Sequence, residues 1–282
     1  MMLKKTVFAA TALAAALMLA ACSKNETRQA ATGAPVAEKA YVVATDATYA
    51  PFEFLDNGQV VGFSRDILDA VAAKEGIRFD YANTPWEGIF ATLDKGDSDI
   101  VSSSVTITPE RRSSMDFSDP YFEASQLIVV GDKGGDINGL ADLKTRSVSV
   151  QTGTTGDLAM QKFQGVDSKN IKRFENMPLA LKELLTGGVD ASVGDNGVVQ
   201  NFVTNNPDAK LRTLTDPAFE KEYYGFAVRK GRSDDLLEKL NAGIAAIKAD
   251  GTYQQIYDKW FSNEAAASAA SDAAASATGD AK

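Results

Sequence analysis

The chain has 282 residues, 44% of them hydrophobic and 24% charged, which is enough apolar material for one large domain or two smaller lobes and too much for a disordered protein. It contains no histidine and one cysteine, which excludes Ser-His-Asp and Cys-His nucleophile systems, imidazole zinc sites and any disulfide within the chain; no metal or cofactor is expected. Its formal charge is −9, with no basic tract long enough to follow a phosphate backbone, so nucleic acid is not an expected partner.

The N-terminus, "MMLKKTVFAATALAAALMLAAC", has Lys4 and Lys5, then an apolar run from Val7 to Leu19 that is too short to span a bilayer, then small residues. That is the pattern of an export signal, predicted over 1–21. "LAAC" at 19–22 resembles the lipobox of bacterial lipoproteins, which implies cleavage before Cys22 and lipid attachment to its thiol. The expected location is therefore outside the cytoplasm, in the periplasm or at the cell surface, anchored to the membrane through Cys22. Residues 22–39 lack apolar periodicity and read as a flexible tether. The Ala/Ser-rich stretch 264–282 has nothing large to bury and reads as a disordered tail.

Between these segments short strands alternate with helices. "YVVAT" (41–45) reads as a strand, and "SRDILDAVAAKE" (64–75) places Ile67, Leu68, Val71 and Ala72 on one helical face before Gly76 stops it. "IRFDY" (77–81) returns as a strand. Thr84, Pro85 and Glu87 match N-cap, N1 and N3 of a capping box, so "TPWEGIFATLDKG" is predicted to be a helix ending at Gly96. "DIVSSS" follows as a strand. The alternation predicts α/β layering with largely parallel sheets, whose ligand sites lie beyond the carboxyl ends of the strands.

"IVSSSVTITPERR" (100–112) begins like a buried strand, yet it carries Ser102, Ser103, Ser104, Thr106 and Thr108 and ends in Arg111 and Arg112. Hydroxyls gathered beside a guanidinium point to an anion. The second half repeats the plan. "SVSVQ" (147–151) is a strand, "TGTTG" (152–156) a turn and "DLAMQKF" a helix, and then "PLALKELLTGG" and "VDASVGD" supply a helix and a strand. Laying Asp99 on Asp190 also lays Leu93 on Leu184, Gly96 on Gly187 and Ser104 on Asp195, a weak internal echo that predicts two similar lobes facing one cleft.

Several of these stretches together carry a family resemblance. "TDATYAPFEF", "GFSRDIL", "SSVTITPER", "MDFSDPYF", "VQTGTTGD", "VGDN" and "DGTYQQIYDKWF" occur in collinear order between about 40 and 262. In this the chain resembles the family 3 extracellular solute-binding proteins, the amino-acid receptors of ABC importers. The resemblance implies a two-lobed, type II periplasmic-binding-protein-like α/β fold with the ligand cleft between the lobes. It predicts lobe 1 over 40–126 and 223–263 and lobe 2 over 127–222, each with its own core, joined by extended crossovers near 122–127 and 220–226. Ser64 departs from the acid common after "GF" in the family, whereas Asp66 is retained; both are expected to be structural.

The resemblance also implies the ligand contacts. An amino acid presents a carboxylate and an ammonium, and both must be re-paired when the cleft closes and water leaves. Arg111, three residues after an N-cap at Thr108, would offer a bidentate fork to the α-carboxylate. Ser103, Ser104 and Thr106 would add contacts from the first lobe. Thr154 and Thr155, at a helix start, would point N–H groups at the anion, and Asp195 would take the α-ammonium. Asp46, Tyr49, Trp86 and Gln151 would wall the side-chain pocket. Ser102 reads as a strand end satisfied locally, Arg112 as solvated, and Asp190 and Glu53 as structural acids.

The expected function is a lipid-anchored, non-catalytic and monomeric receptor. It would bind a polar or basic L-amino acid, Arg-, Lys-, His- or Gln-like, and pass it to an ABC permease in the membrane. Two alternatives stay open: a periplasmic cyclohexadienyl dehydratase-like enzyme using a buried acid, and an amino-acid sensor or adhesin. A dehydration assay with prephenate or arogenate separates the first, and gene neighbours encoding an ATPase and permease separate the second.

Overall fold

The structure, a computed structural model, describes residues 40–262. The predicted export signal (1–21), the predicted tether with Cys22 and the predicted Ala/Ser tail lie outside these residues.

Two five-stranded sheets are built on one plan. The first runs β5 (Arg78–Asn83), β1 (Ala40–Thr45), β6 (Ile100–Val101), β15 (Ala227–Arg229), β7 (Met115–Phe117). The second runs β11 (Ile171–Phe174), β10 (Val148–Gln151), β12 (Ala191–Asp195), β9 (Gln126–Val130), β13 (Arg212–Leu214). In each, the first three strands are parallel and the fourth is antiparallel to both its neighbours. The sheets are thus mixed rather than largely parallel. Parallel pairing needs a crossover connection, whereas β9 and β15 each follow directly from a strand of a separate ribbon. That ribbon pairs β8 (Phe122–Ala124) with β14 (Glu222–Tyr224) antiparallel and carries both connections between the sheets. A small antiparallel sheet of β2 (Thr48–Tyr49), β3 (Glu53–Asp56) and β4 (Gln59–Val61) follows β1.

The helices are α1 (Phe63–Glu75), α2 (Ala91–Lys95), α3 (Pro109–Ser114), α4 (Thr155–Gln164), α5 (Met177–Leu185), α6 (Asn196–Thr204) and α7 (Leu236–Ala249), with a further helical run at 252–262. Helix α1 starts and stops on glycine. At Gly62 (φ 132°) a Cβ would lie 2.1 Å from the Phe52 carbonyl oxygen, and Gly76 caps the C-terminus at φ 62°. Ser64 is buried with its hydroxyl 3.0 Å from the Tyr121 hydroxyl, and Asp66 accepts from Lys259 Nζ and Trp260 Nε1, so both serve the packing of this helix.

The internal echo has a physical basis. Asp99 and Val42 exchange two bonds, Val42 N–H to the Asp99 carboxylate (3.0 Å) and Asp99 N–H to the Val42 carbonyl (2.8 Å). Asp190 and Ser147 do the same, at 2.8 and 2.9 Å. In both lobes the acid pins the start of the strand after a helix that ended on a left-handed glycine, Gly96 or Gly187. Each strand then runs to the cleft, one toward Ser104 and the other to Asp195.

The helix predicted over 84–95 is far shorter, with only Ala91–Lys95 helical. Thr84 does not cap it. Its hydroxyl donates to the Ala82 carbonyl, Gly88 sits at φ 83°, and the N–H of Trp86 is taken by the Asp46 carboxylate (3.2 Å). A tertiary acceptor thus replaces the capping box and leaves Trp86 on a turn.

The cores are only partly separate. Along β9, Ile128 and Val130 pack with Val148, Val150, Ile171 and Val193 on one face of the second sheet. Leu127 and Val129, on the other face, join Met177, Leu181 and Leu184 in a cluster that continues into the first lobe. Phe52 lies at its centre, with ring centroids 4.7–6.0 Å from Phe63, Phe122, Tyr224 and Phe261. Among the described residues no helix is long and apolar enough to cross a membrane.

Candidate binding site

The parallel strands of both sheets end at one cavity of about 330 Å³, lined by Asp46, Tyr49, Trp86, Ser103, Ser104, Thr106, Arg111, Gln151, Thr154, Thr155 and Asp195. All the residues singled out from the sequence as ligand contacts are brought together here, and Ser102, Arg112, Asp190 and Glu53 are not among the lining.

Asp46 follows β1 and is 7% exposed. It accepts from Thr48 Oγ1 (2.9 Å) and Trp86 N–H (3.2 Å), while its own N–H donates to Ser103 Oγ (3.1 Å). Burial raises its pKa above the ordinary aspartate value, against the pull of these bonds. Ser104 takes a left-handed conformation (φ 47°) that non-glycine residues rarely adopt, and its buried hydroxyl has no partner among the described residues. Behind it, Glu53 is 1% exposed and faces Ser64 and Ser104; burial pushes its pKa well above the usual carboxylate range.

Arg111 is placed by α3. Thr108 caps that helix by accepting the Arg111 N–H (3.1 Å), with Pro109 at N1. The guanidinium donates to the carbonyls of Thr106 (3.0 Å) and Gly153 (3.3 Å) and lies 5.5 Å from the ring centroids of both Trp86 and Phe90. Burial lowers its pKa, opposed by the nearby carboxylates of Asp195 and Glu222. A guanidinium has five donors, so the fork retains capacity for an anion.

From the second sheet, Thr154 caps α4 by accepting the Asp157 N–H (3.3 Å), and Asp157 in turn takes the Gly153 N–H and Arg173 Nε, which fixes the turn. Gln151 donates to the Glu175 carbonyl (3.3 Å), and its amide oxygen is buried without a partner among the described residues. Asp195 ends β12, 5% exposed, and accepts from Gln126 Nε2 (2.6 Å) and the Tyr224 hydroxyl. Burial raises its pKa, and its hydrogen bonds and Arg111 oppose that. Trp86 reaches across to donate Nε1 to the Thr152 carbonyl (3.0 Å).

A second cavity of about 620 Å³ adjoins the first, sharing Asp46 and Trp86 and adding Glu87, Glu175, Asn83 and Asn176. The Asp46 end of the site is therefore acidic on both sides. Sequence reading missed Gln126, Glu222 and Tyr224, which surround Asp195. Glu222 and Tyr224 lie on the ribbon strand β14 and Gln126 opens β9 of the second sheet, and only their place in the predicted crossovers hinted at them.

Residues 41–263 match the profile of the bacterial extracellular solute-binding proteins, family 3. The chain belongs to this family. Among curated members it is 43% identical to the probable histidine-binding protein of Neisseria gonorrhoeae, over 94% of this chain and 98% of that one. Among solved structures, the arginine-, lysine-, histidine-binding protein ArtJ of Geobacillus stearothermophilus superposes with a TM-score of 0.76 at 43% identity, covering 79% of this chain and 96% of that one. An ancestral amino acid-binding protein described as a precursor of cyclohexadienyl dehydratase superposes with a TM-score of 0.70 at 39% identity, covering 79% and 95%. All three relatives are binding proteins by name. The two-lobed α/β fold is that of the solute-binding family, and membership in it implies an exported protein that binds an amino acid.

Proposed function

We propose that this protein is a lipid-anchored, monomeric receptor that closes on a free L-amino acid with a cationic or amide-bearing side chain and hands it to an ABC permease, with no catalytic step. One observation carries the reading: the cavity lining holds two carboxylates, Asp46 and Asp195, against one guanidinium, Arg111. A zwitterionic head group pairs with Arg111 and Asp195 and leaves Asp46 over, beside the acidic second cavity. A ligand with a second positive charge balances the site, whereas an acidic side chain would bring an unpaired anion to it. Histidine-, arginine- and lysine-binding relatives support the same choice. The dehydratase alternative gains nothing from its structural neighbour, which is itself named as a binding protein. A thermal-shift screen of the twenty amino acids with ornithine and cystine, followed by calorimetry on the hits, tests the proposal. A protein stabilised only by acidic or apolar amino acids would overturn it.

Asp46→Asn is expected to change preference more than affinity for the head group. Exchanging a carboxylate acceptor for a neutral amide should lower the preference for arginine over glutamine about tenfold, or ~1.4 kcal/mol. Competition calorimetry reads the ratio directly.

Cys22→Ser should leave the protein exported but free of membranes after a salt wash, because a single lipid attachment site would be lost. Persistence in the washed membrane pellet would refute the anchor.

A further inference from the structure

Glu222, on the ribbon strand β14, has a bonding pattern that spans the cleft. Its Oε2 accepts from Thr106 Oγ1 (2.9 Å), which follows β6 of the first sheet, and from Thr155 Oγ1 (2.7 Å), which opens α4 on the second. Its Oε1 accepts from Gln126 Nε2 (3.3 Å), and the same amide donates to Asp195 (2.6 Å) and to Thr155 Oγ1 (3.1 Å). One carboxylate oxygen thus holds a hydroxyl from each side of the cavity, with Asp195 tied in through a shared donor.

The carboxylate is half-buried beside Asp195, and no cation lies within ion-pair distance of it among the described residues. Burial and that neighbour both raise its pKa. Such a group is costly unless its lone pairs are used. A carboxylate only accepts, so both threonine protons are directed at Glu222; each hydroxyl of these cavity-lining residues keeps acceptor capacity, Thr155 less of it because Gln126 Nε2 also donates to it.

We propose that Glu222 is a positioning residue that couples the two lobes in the ligand-bound arrangement: it fastens Thr155 of the second lobe to Thr106 of the first and presents both hydroxyls to the ligand as acceptors. The proposal rests on the amino-acid-receptor reading and adds to it a residue outside the cavity lining. Because the bonds to Thr106 and Thr155 can coexist only when the lobes are together, the contribution of Glu222 falls on ligand release and not on capture.

The test is stopped-flow binding of L-arginine and L-histidine to the full chain, followed by intrinsic tryptophan fluorescence, for the wild type, Glu222→Gln, Thr155→Val and the double variant. Glu222→Gln and Thr155→Val should each raise the dissociation rate about tenfold, leave the association rate within about twofold, and together do no more than either alone, since both act on one bond, the first by neutralising its acceptor and the second by removing its donor. A dissociation rate unchanged in Glu222→Gln, or effects that multiply in the double variant, would overturn the latch. A fall in association rate or in the unliganded melting temperature that accounts for the whole loss would also overturn it, assigning Glu222 to fold stability. Calorimetry on the wild type separates the two readings. Failure of every cationic and amide-bearing amino acid to bind overturns the receptor reading together with the latch, whereas wild-type binding with an unaltered Glu222→Gln variant overturns the latch alone.

Discussion

Arg111→Met is expected to lower amino-acid affinity by about 2–5 kcal/mol, roughly thirty-fold to several thousand-fold, while the fold survives. The guanidinium is held from several sides, by the carbonyls of Thr106 and Gly153 and the rings of Trp86 and Phe90. It is therefore pre-ordered, and a bound carboxylate does not have to immobilise it. Methionine keeps much of the packing against the two rings but strands the ligand carboxylate in a closed cavity with no countercharge. Neighbouring Arg112 supplies the control. It is exposed, with Cζ 5.9 Å from the Phe117 ring centroid, and Arg112→Met should change affinity by no more than about 0.5 kcal/mol. Calorimetry on both variants decides the matter, and a critical Arg112 with a dispensable Arg111 would move the site.

Asp195→Asn should weaken binding by a similar amount, about 2–5 kcal/mol, with an opposite effect on the unliganded protein. Burial raises the pKa of Asp195. A carboxyl with a folded-state pKa above its unfolded value stabilises the fold fully only below the unfolded pKa, and that stability is lost as pH rises through the folded one. The ionised form is therefore a net burden on the empty protein as pH rises through that raised pKa. Asparagine removes the burden and still offers Gln126 an acceptor oxygen, so the unliganded melting temperature should hold or rise while affinity falls. Loss of both together would instead mark Asp195 as a structural acid. A melt with and without L-arginine at pH 7 separates these outcomes.

The elements legible in the sequence were those set by local chemistry. Helix α1 ends at Gly76 because only a left-handed residue closes it there, and Thr108 caps α3 through a bond three residues long. The pairing of Asp99 with Asp190 carried the internal symmetry, since each acid performs the same task at the start of its strand. The failures were tertiary. Residues 84–90 have a capping-box sequence, but the Asp46 carboxylate, some 40 positions away, takes the Trp86 N–H first. The direction of β9 and β15 depends on how the chain leaves the ribbon, which no periodicity records. Glu222 looks like any acid in a charged strand, and its part in the site comes from three donors on three different segments. The cavity residues were legible as a set only because the family pattern supplied the collinear order that composition and spacing lack.

The placing of β15 between β6 and β7, with Phe261 against Phe52, bears on the order in which the protein can be made. A chain synthesised from its N-terminus has produced β1, β5, β6 and β7 long before the strand that joins the last two exists. Their shared neighbour arrives only at residues 227–229, and the aromatic core around Phe52 waits for residue 261. The strands of the second sheet, by contrast, are contiguous from 126 to 214 and can pair as they emerge. The first sheet can therefore be completed only once residues 227–229 have been made, whereas the second has all its strands by residue 214, so the lobe that contains the chain's first strand is the later of the two to close.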